Sequence, residues 1–229
     1  MFHPIFILTM LPAFLLSLIA TFMVQATFRK YSSVMSTSGI SGAEAAHILL
    51  RSAGITDVKI EPVRGLLTDH YDPVSKTLRL SENVYSSSSI ASIGVACHEA
   101  GHAIQHAAGY GWLGLRTTLV PVVQFGTYLS YFLFALGAGI GYLRLAILGV
   151  FLFALMVVFA VITLPVEWDA SRRARELMLN AGIVTMDEEE HAAKVLNAAF
   201  LTYVAAAVTA LMQLLYYMAQ LGLFGGRRR

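Results

Sequence analysis

The 229-residue chain is rich in apolar residues and poor in charge. Hydrophobic residues make up 57% of it and charged residues 13%, against about 45–50% and about 25% in soluble domains. This composition excludes an ordinary soluble enzyme. A net charge of +2 with dispersed basic residues gives no support for a nucleic-acid partner, and the single cysteine, Cys97, excludes an intrachain disulfide.

Four apolar runs are long enough to cross a bilayer as helices. About 20 helical residues span the roughly 30 Å of hydrocarbon, and suitable runs lie at residues 4–28, 117–141, 142–165 and 198–224. We therefore predict a mainly α-helical membrane protein with about four transmembrane helices. The first run lacks a basic start and an A-x-A-like cleavage site, so we interpret it as an uncleaved anchor rather than a secretory signal.

These runs divide the chain into five segments. In order they are a transmembrane anchor (1–28), an α+β region (29–111), a tight transmembrane hairpin (112–165), a connector with a further helix (166–197), and a transmembrane helix with a basic tail (198–229). The start of the last helix is polar, so we expect one long helix that begins outside the lipid and then enters it.

The region between the first two spans carries patterns for a helix and a small sheet. Ser41 and Glu44 match the capping box of a short helix. Alternating apolar and polar residues predict strands at 56–63 and 77–81, and a turn sequence before the second strand predicts a hairpin over 67–80. We therefore expect a small α+β region between spans 1 and 2.

A helix predicted over residues 90–108 carries the sequence HEAGH. Residues four apart share a helical face, so His98 and His102 present their imidazoles side by side, with Glu99 near the same edge. HExxH on a helix is the arrangement of zinc hydrolases, in which the histidines bind metal and the glutamate acts on water. Composition alone gives about 0.01 accidental matches, so we predict a zinc site.

Two histidines leave a third protein ligand to be found. His106 repeats the four-residue spacing, but it lies about 12 Å along the helix axis from His98, too far for both to reach one ion. Glu167 and Asp169 stand at the end of the third apolar run, where Pro165 is suited to begin a new helix. An acidic residue at that place is either a ligand or part of a solvated helix terminus.

Longer stretches around these residues resemble a known family. TDHYDP at 68–73, LRLSE at 78–82, HEAGHAIQH at 98–106 and, after two spans, VEWDASRRA are similar to the YugP-type neutral zinc metallopeptidases, which are integral-membrane proteins of bacteria. In more distant outline the chain resembles the HtpX and Ste24 membrane proteases, which place a transmembrane hairpin between HExxH and an E-x-x-A-D motif. The resemblance implies that the α+β region is a zincin-like catalytic region.

The resemblance also implies a role for each site residue. Glu99 would be the catalytic general base and then acid. The three implied Zn²⁺ ligands are His98, His102 and Glu167. Ser171 stands where the aspartate of E-x-x-A-D orients a zinc-bound histidine, and Asp169 is the alternative source of that carboxylate.

We expect a membrane-embedded zinc endopeptidase that acts on membrane or membrane-proximal proteins. The alternative is a catalytically silent zinc-binding scaffold that binds partner proteins, which the intact motif residues disfavour. A metal-transport module would need ionisable residues inside its spans, and residues 117–165 contain only Arg144. Residues 78–81 are the candidate edge strand for an extended substrate. The side chains considered as a second oxyanion donor are Tyr203, Arg172 and His70.

Basic residues near the span ends predict the orientation. The side that carries the predicted site has seven of them, which are Arg29, Lys30, Arg116, Arg172, Arg173, Arg175 and Lys194. The opposite side has Arg144 and, if the last helix crosses fully, the terminal residues 227–229. We therefore expect a multi-pass protein of the bacterial cell membrane with its site facing the cytoplasm.

Overall fold

The computed structural model describes residues 4–223, and their fold is mainly helical with one small sheet, as predicted. In chain order the elements are α1 (Pro4–Ser32), α2 (Gly42–Ser52), β1 (Lys59–Val63), β2 (His70–Asp72), β3 (Thr77–Ser81), α3 (Glu82–Ser86), α4 (Ile90–Ala107), α5 (Gly111–Gly139), α6 (Leu143–Asn180) and α7 (Met186–Gln220). The predicted basic tail at 227–229 lies outside the described residues.

Four of the helices, α1, α5, α6 and α7, are long and apolar enough to cross a membrane, judged by length and composition. This confirms the predicted mainly helical membrane protein with four candidate spans. Only three residues separate α5 from α6, and Gly141 between them adopts a φ of +73°, which favours glycine. The predicted tight hairpin is therefore present.

Pro165 does not begin a new helix, contrary to the sequence-based expectation. It lies inside α6, which continues without a break to Asn180. A proline removes one backbone donor and crowds the carbonyl four residues earlier, yet long apolar helices tolerate it where neighbouring groups satisfy the backbone. Pro12 and Pro121 lie inside α1 and α5 in the same way. Glu167 is therefore carried by the same helix as the third apolar run.

The chain forms two compact units. The apolar unit contains Met1–Thr21, Leu115–Leu164 and Thr202–Arg229, and the polar unit contains Phe22–Gly114 and Pro165–Leu201. All three predicted metal ligands and the sheet belong to the polar unit, and the four long helices each contribute residues to both units.

The sheet has the strand order β1-β3-β2. β2 and β3 form the predicted antiparallel hairpin, and β1 pairs with β3 in parallel. β3 is therefore the central strand, so the expectation that residues 78–81 form an exposed edge is wrong. Alternation within β3 is the same for an edge and for a central strand, and the parallel partner is decided by folding rather than by local pattern.

The core of the polar unit surrounds α4. The predicted capping box of α2 is present, with Ser41 and Glu44 bonding each other's backbone N–H groups. α2 and β3 pack against α4, and the buried cluster that joins them includes Leu49, Leu78 and Ile93. The helix that carries HEAGH is thus held on several sides by apolar contacts.

Candidate metal centre

The sequence around α4 explains why this segment is a helix. Ser89 caps its N-terminus by accepting a hydrogen bond from the Ser92 backbone, and Gly109 follows its C-terminus with a φ of +63°. Cys97 is completely buried on the core face of the helix. Burial raises the pKa of the Cys97 thiol to about 12, so this thiol is a neutral packing group, and it does not belong to the ligand cluster found among residues 4–223.

The three predicted ligands converge on one point. The Glu167 Oε2 atom lies 3.2 Å from His98 Nε2 and 3.6 Å from His102 Nε2, and one ligand atom from each residue falls within 4.8 Å of the others. A tetrahedral zinc with bonds of about 2.0–2.1 Å holds its ligand atoms about 3.3 Å apart. The spacing of these nitrogen and oxygen atoms therefore fits one zinc ion.

A close approach between α4 and α6 brings these ligands together. Gly101, inside the HEAGH sequence, faces Ala170, and a Cβ atom at Gly101 would lie 2.6 Å from the Ala170 carbonyl oxygen. Such a contact is too short for any side chain, so only glycine allows the two helices this separation. The ligand set depends on that separation, because His98 and His102 flank Gly101 and Glu167 lies three residues before Ala170.

Gln105 orients the imidazole of His102. Its amide Nε2 donates to the Val166 carbonyl oxygen at 2.8 Å and to Asp169 Oδ2 at 2.9 Å. Because both partners accept, Oε1 of Gln105 must accept from His102 Nδ1, 3.0 Å away. The Nδ1 atom of His102 therefore carries a hydrogen, and the Nε2 atom lies on the side of the ring that faces Glu167.

Asp169 anchors this arrangement from the other end. Arg172 Nη2 donates to its Oδ1 at 2.7 Å, and Arg173 Nε donates to its Oδ2 at 2.5 Å. Asp169 is only 8% exposed and Gln105 is completely buried, so the pair is well shielded from water. Asp169 therefore acts on His102 through Gln105, and not by direct contact with a histidine.

Ser171 takes the place of the expected aspartate beside His98. Its Oγ lies 3.0 Å from His98 Nδ1. A hydroxyl can accept a hydrogen bond from this nitrogen as a carboxylate would, although it brings no negative charge. Serine at this position of the E-x-x-A-D pattern thus retains a hydrogen bond to His98, but the bond is weaker than one to a carboxylate.

Glu99 stands apart from the three converging ligands. It follows His98 on α4 and is half-buried, and it does not belong to the ligand cluster found among residues 4–223. Within the same residues its carboxylate makes no hydrogen bond to protein. An available carboxylate next to a predicted ligand histidine suits proton transfer better than metal binding.

Comparison with known proteins shows the family of the chain. A family model described as "Putative neutral zinc metallopeptidase" matches residues 6–222, nearly the whole chain. The chain belongs to this zinc metallopeptidase family. It is also 48% identical over 214 residues to "Putative membrane protease YugP" of Bacillus subtilis (strain 168), covering 93% of this chain and 95% of that relative. No solved structure matches the chain significantly.

His106 lies outside the ligand cluster, as its distance along α4 predicts. It is exposed, and its Nδ1 atom lies 2.9 Å from the Tyr71 hydroxyl of β2. Burial, and then the charges of Asp57 and Asp72, raise the pKa of Tyr71, so its hydroxyl stays protonated at neutral pH. His106 is therefore a surface residue that links α4 to β2 by a hydrogen bond.

Two of the three side chains considered as oxyanion donors bind other groups of the protein. Arg172 binds Asp169 and Glu176, and His70 Nδ1 lies 2.8 Å from the Thr68 carbonyl oxygen. Tyr203 belongs to the apolar unit. Both Arg172 and His70 are thus engaged in contacts that stabilise their own segments.

Removing the amide of Gln105 should weaken metal binding. In Gln105→Met the side-chain length is kept, but the hydrogen bond that fixes His102 is lost, so we expect zinc affinity to fall roughly 10- to 100-fold. A competition titration with a chromophoric chelator measures this. His106→Leu, one residue further on α4, is the control and should bind zinc like the unmodified chain. Equal affinities for Gln105→Met and the unmodified chain would contradict the orienting role.

Proposed function

We propose that the protein is a membrane-embedded zinc endopeptidase that hydrolyses peptide bonds of membrane or membrane-proximal proteins. The observation that carries the proposal is the convergence of His98, His102 and Glu167, whose ligand atoms lie within 4.8 Å of one another, with Glu99 next to His98 in the chain. Membership of a zinc metallopeptidase family supports the same class of reaction. The likeness to a protein named a membrane protease supports the membrane setting.

The donor set suits a catalytic zinc site rather than a structural one. Two imidazole nitrogens and one carboxylate oxygen are the protein ligands of several catalytic zinc sites, which keep a fourth position open. His98, His102 and Glu167 would hold the ion through the atoms that converge here. Bound Zn²⁺ would supply a Lewis acid that activates water and polarises a peptide carbonyl.

The remaining chemistry belongs to the chain's own side chains. The Glu99 carboxylate is partly exposed and makes no hydrogen bond within the described residues, so it can accept a proton from the attacking water. The same carboxyl group can return that proton to the departing amine. Gln105 and Ser171 keep the two imidazoles turned with Nε2 toward the site, so no reorganisation is needed as the reaction begins.

The place of Glu167 favours substrates close to the membrane. It follows the apolar part of α6, whose last residues before it are Leu164, Pro165 and Val166. A peptide that reaches Glu167 must therefore approach the end of a candidate membrane span. Substrates would be membrane proteins, or soluble segments held near the bilayer.

Metal removal tests the proposed reaction. We expect the detergent-purified chain to cleave a quenched fluorogenic peptide, to lose the cleavage on dialysis against a chelator, and to regain it with one equivalent of Zn²⁺ per chain. Fluorescence follows cleavage, and elemental analysis follows the metal. Cleavage that persists in the metal-free chain would contradict a zinc peptidase. If the zinc-loaded chain cleaves none of a diverse set of peptides, the alternative of a catalytically silent zinc-binding scaffold is favoured.

We further propose that the site faces the cytoplasm. Support comes from the seven basic residues near the span ends on the side of the predicted site, which exceed those on the other side. The first span shows the bias most clearly, because no Lys or Arg precedes it and Arg29 and Lys30 follow it.

Cysteine labelling tests the orientation. In a Cys97→Ala background, single cysteines replace Val74, which is 89% exposed in the polar unit, and Gly139, an exposed residue at the end of α5. A membrane-impermeant thiol reagent applied to intact cells should label the cysteine at 139 and leave the one at 74 unlabelled. After cell lysis both should react, which controls for exposure. The reverse pattern in intact cells would place the site outside.

A further inference from the structure

A cavity of about 470 Å³ lies between the last part of α1 and the middle of α7, within the polar unit. Lys30 lines it from α1, and Lys194 and Asn197 line it from α7. Apolar side chains form another part of its wall, among them Met23, Ala26 and Ala198. The cavity shares no residue with the metal centre, and it combines two ammonium groups with an apolar surface.

The positive charge at this cavity is not neutralised by the protein. Lys30 and Lys194 are both exposed, and neither forms a salt bridge with any residue between 4 and 223. Glu190, one helical turn before Lys194, likewise forms no ion pair with it. Three arginines of the same unit differ in this respect, since each binds a carboxylate; they are Arg172, Arg173 and Arg175.

Lys30 is held beside the cavity by an aromatic contact. Its Nζ lies 5.2 Å from the centre of the Tyr31 ring, a distance at which the ring face attracts a cation. Tyr31 is itself buried and packs against Val195 and Ala91. The ammonium group is therefore placed by a fixed neighbour, although it remains open to a ligand.

The cavity lies where both helices change from polar to apolar. α1 has no charged residue over 4–28, and α7 has none over 195–220. Met23 precedes Lys30 by seven residues, which is about 10 Å along a helix. The cavity wall thus extends from charged groups into the segment expected to contact hydrocarbon, and this matches an amphiphile with a charged head and an apolar tail.

We propose that this cavity binds an anionic phospholipid. The lipid phosphate would lie between Lys30 and Lys194, with Asn197 offering a hydrogen bond, and an acyl chain would follow Met23 and Ala26. Two unpaired ammonium groups favour a lipid of net negative charge over a zwitterionic one, whose own cation they would repel. This proposal does not depend on the proposed peptidase activity.

Native mass spectrometry tests the site directly. The detergent-purified chain is titrated with phosphatidylglycerol or with phosphatidylcholine of the same acyl chains, and the retained lipid is counted. We expect phosphatidylglycerol to be retained roughly 25-fold more tightly, because each of the two lysines contributes roughly fivefold. The double variant Lys30→Gln/Lys194→Gln should lose this preference.

Arg29→Gln is the matched control, because Arg29 is the neighbouring cation on α1 and does not line the cavity. It should keep the preference for phosphatidylglycerol. Zinc affinity measured on the same samples should be unchanged in all variants, which shows that the fold is intact. Equal retention of the two lipids, or an equal loss in Arg29→Gln, would overturn the proposal. Displacement of the lipid by millimolar inorganic phosphate would assign the cavity to free phosphate instead.

Discussion

Replacing Glu99 with glutamine is expected to abolish peptide hydrolysis while zinc remains bound. Glutamine keeps the size of the side chain, but its amide cannot accept and return the proton that Glu99 is proposed to transfer. We expect the cleavage rate to fall at least about 10²-fold, within the range of general acid–base catalysis. Zinc affinity should hardly change, because Glu99 is not among the three converging ligands.

The measurement compares cleavage of one fluorogenic peptide at equal zinc occupancy. Glu61→Gln serves as the control, because it makes the same chemical change outside the ligand cluster. Glu61 is an exposed residue of β1. That variant should cleave at the rate of the unmodified chain. Undiminished cleavage by Glu99→Gln would remove Glu99 from the mechanism, whereas loss of zinc in the same variant would reassign it as a ligand.

Features set by neighbouring residues were predictable from the sequence. His98 and His102 share a helical face because they are four residues apart, and the rings lie 4.9 Å apart, centre to centre. The capping box of Ser41 and Glu44 is likewise a relation over three residues, and it is present. The same reasoning excluded His106 from the ligand set, since a helix carries it too far along its axis.

Contacts between distant segments were not predictable in this way. Gln105 reaches Val166, 61 residues away, and no local pattern marks a buried glutamine as the residue that orients His102. No local pattern distinguishes Gly101 from other helical glycines either, whereas the structure shows that it permits the approach of Ala170. A glycine and an amide on the same face of the helix as His98 were the available indications, and both need the position of α6 to be interpreted.

The two incorrect expectations have related causes. Pro165 favours the start of a helix, because a proline is suited to the first turn, but the same residue is tolerated inside a long apolar helix. The alternation in residues 78–81 is compatible with an edge strand and with a central one, because it does not reveal how many partners a strand has. In both cases the local sequence allowed two outcomes, and packing with distant segments decided between them.

Loss of Glu167 should lower zinc affinity more than any other single change outside HEAGH. Glu167→Ala removes one of three protein ligands and leaves a gap next to two imidazoles, at a side chain that is 1% exposed. We expect the affinity to fall by more than the roughly 10- to 100-fold typical of residues that only orient a ligand. Asp169→Ala should show that smaller effect, because Asp169 acts through Gln105.

A chelator competition titration ranks these variants, with His106→Ala as a control that should match the unmodified chain. Circular dichroism at matched concentration separates loss of the ligand from loss of the helices. Glu167→Gln serves the same purpose, because glutamine keeps the volume of the side chain and removes only its charge. Zinc binding in Glu167→Ala that equals the unmodified chain would show that the third ligand lies elsewhere. A larger loss in Asp169→Ala than in Glu167→Ala would exchange their roles, making Asp169 the ligand and Glu167 a residue that supports His98 and His102.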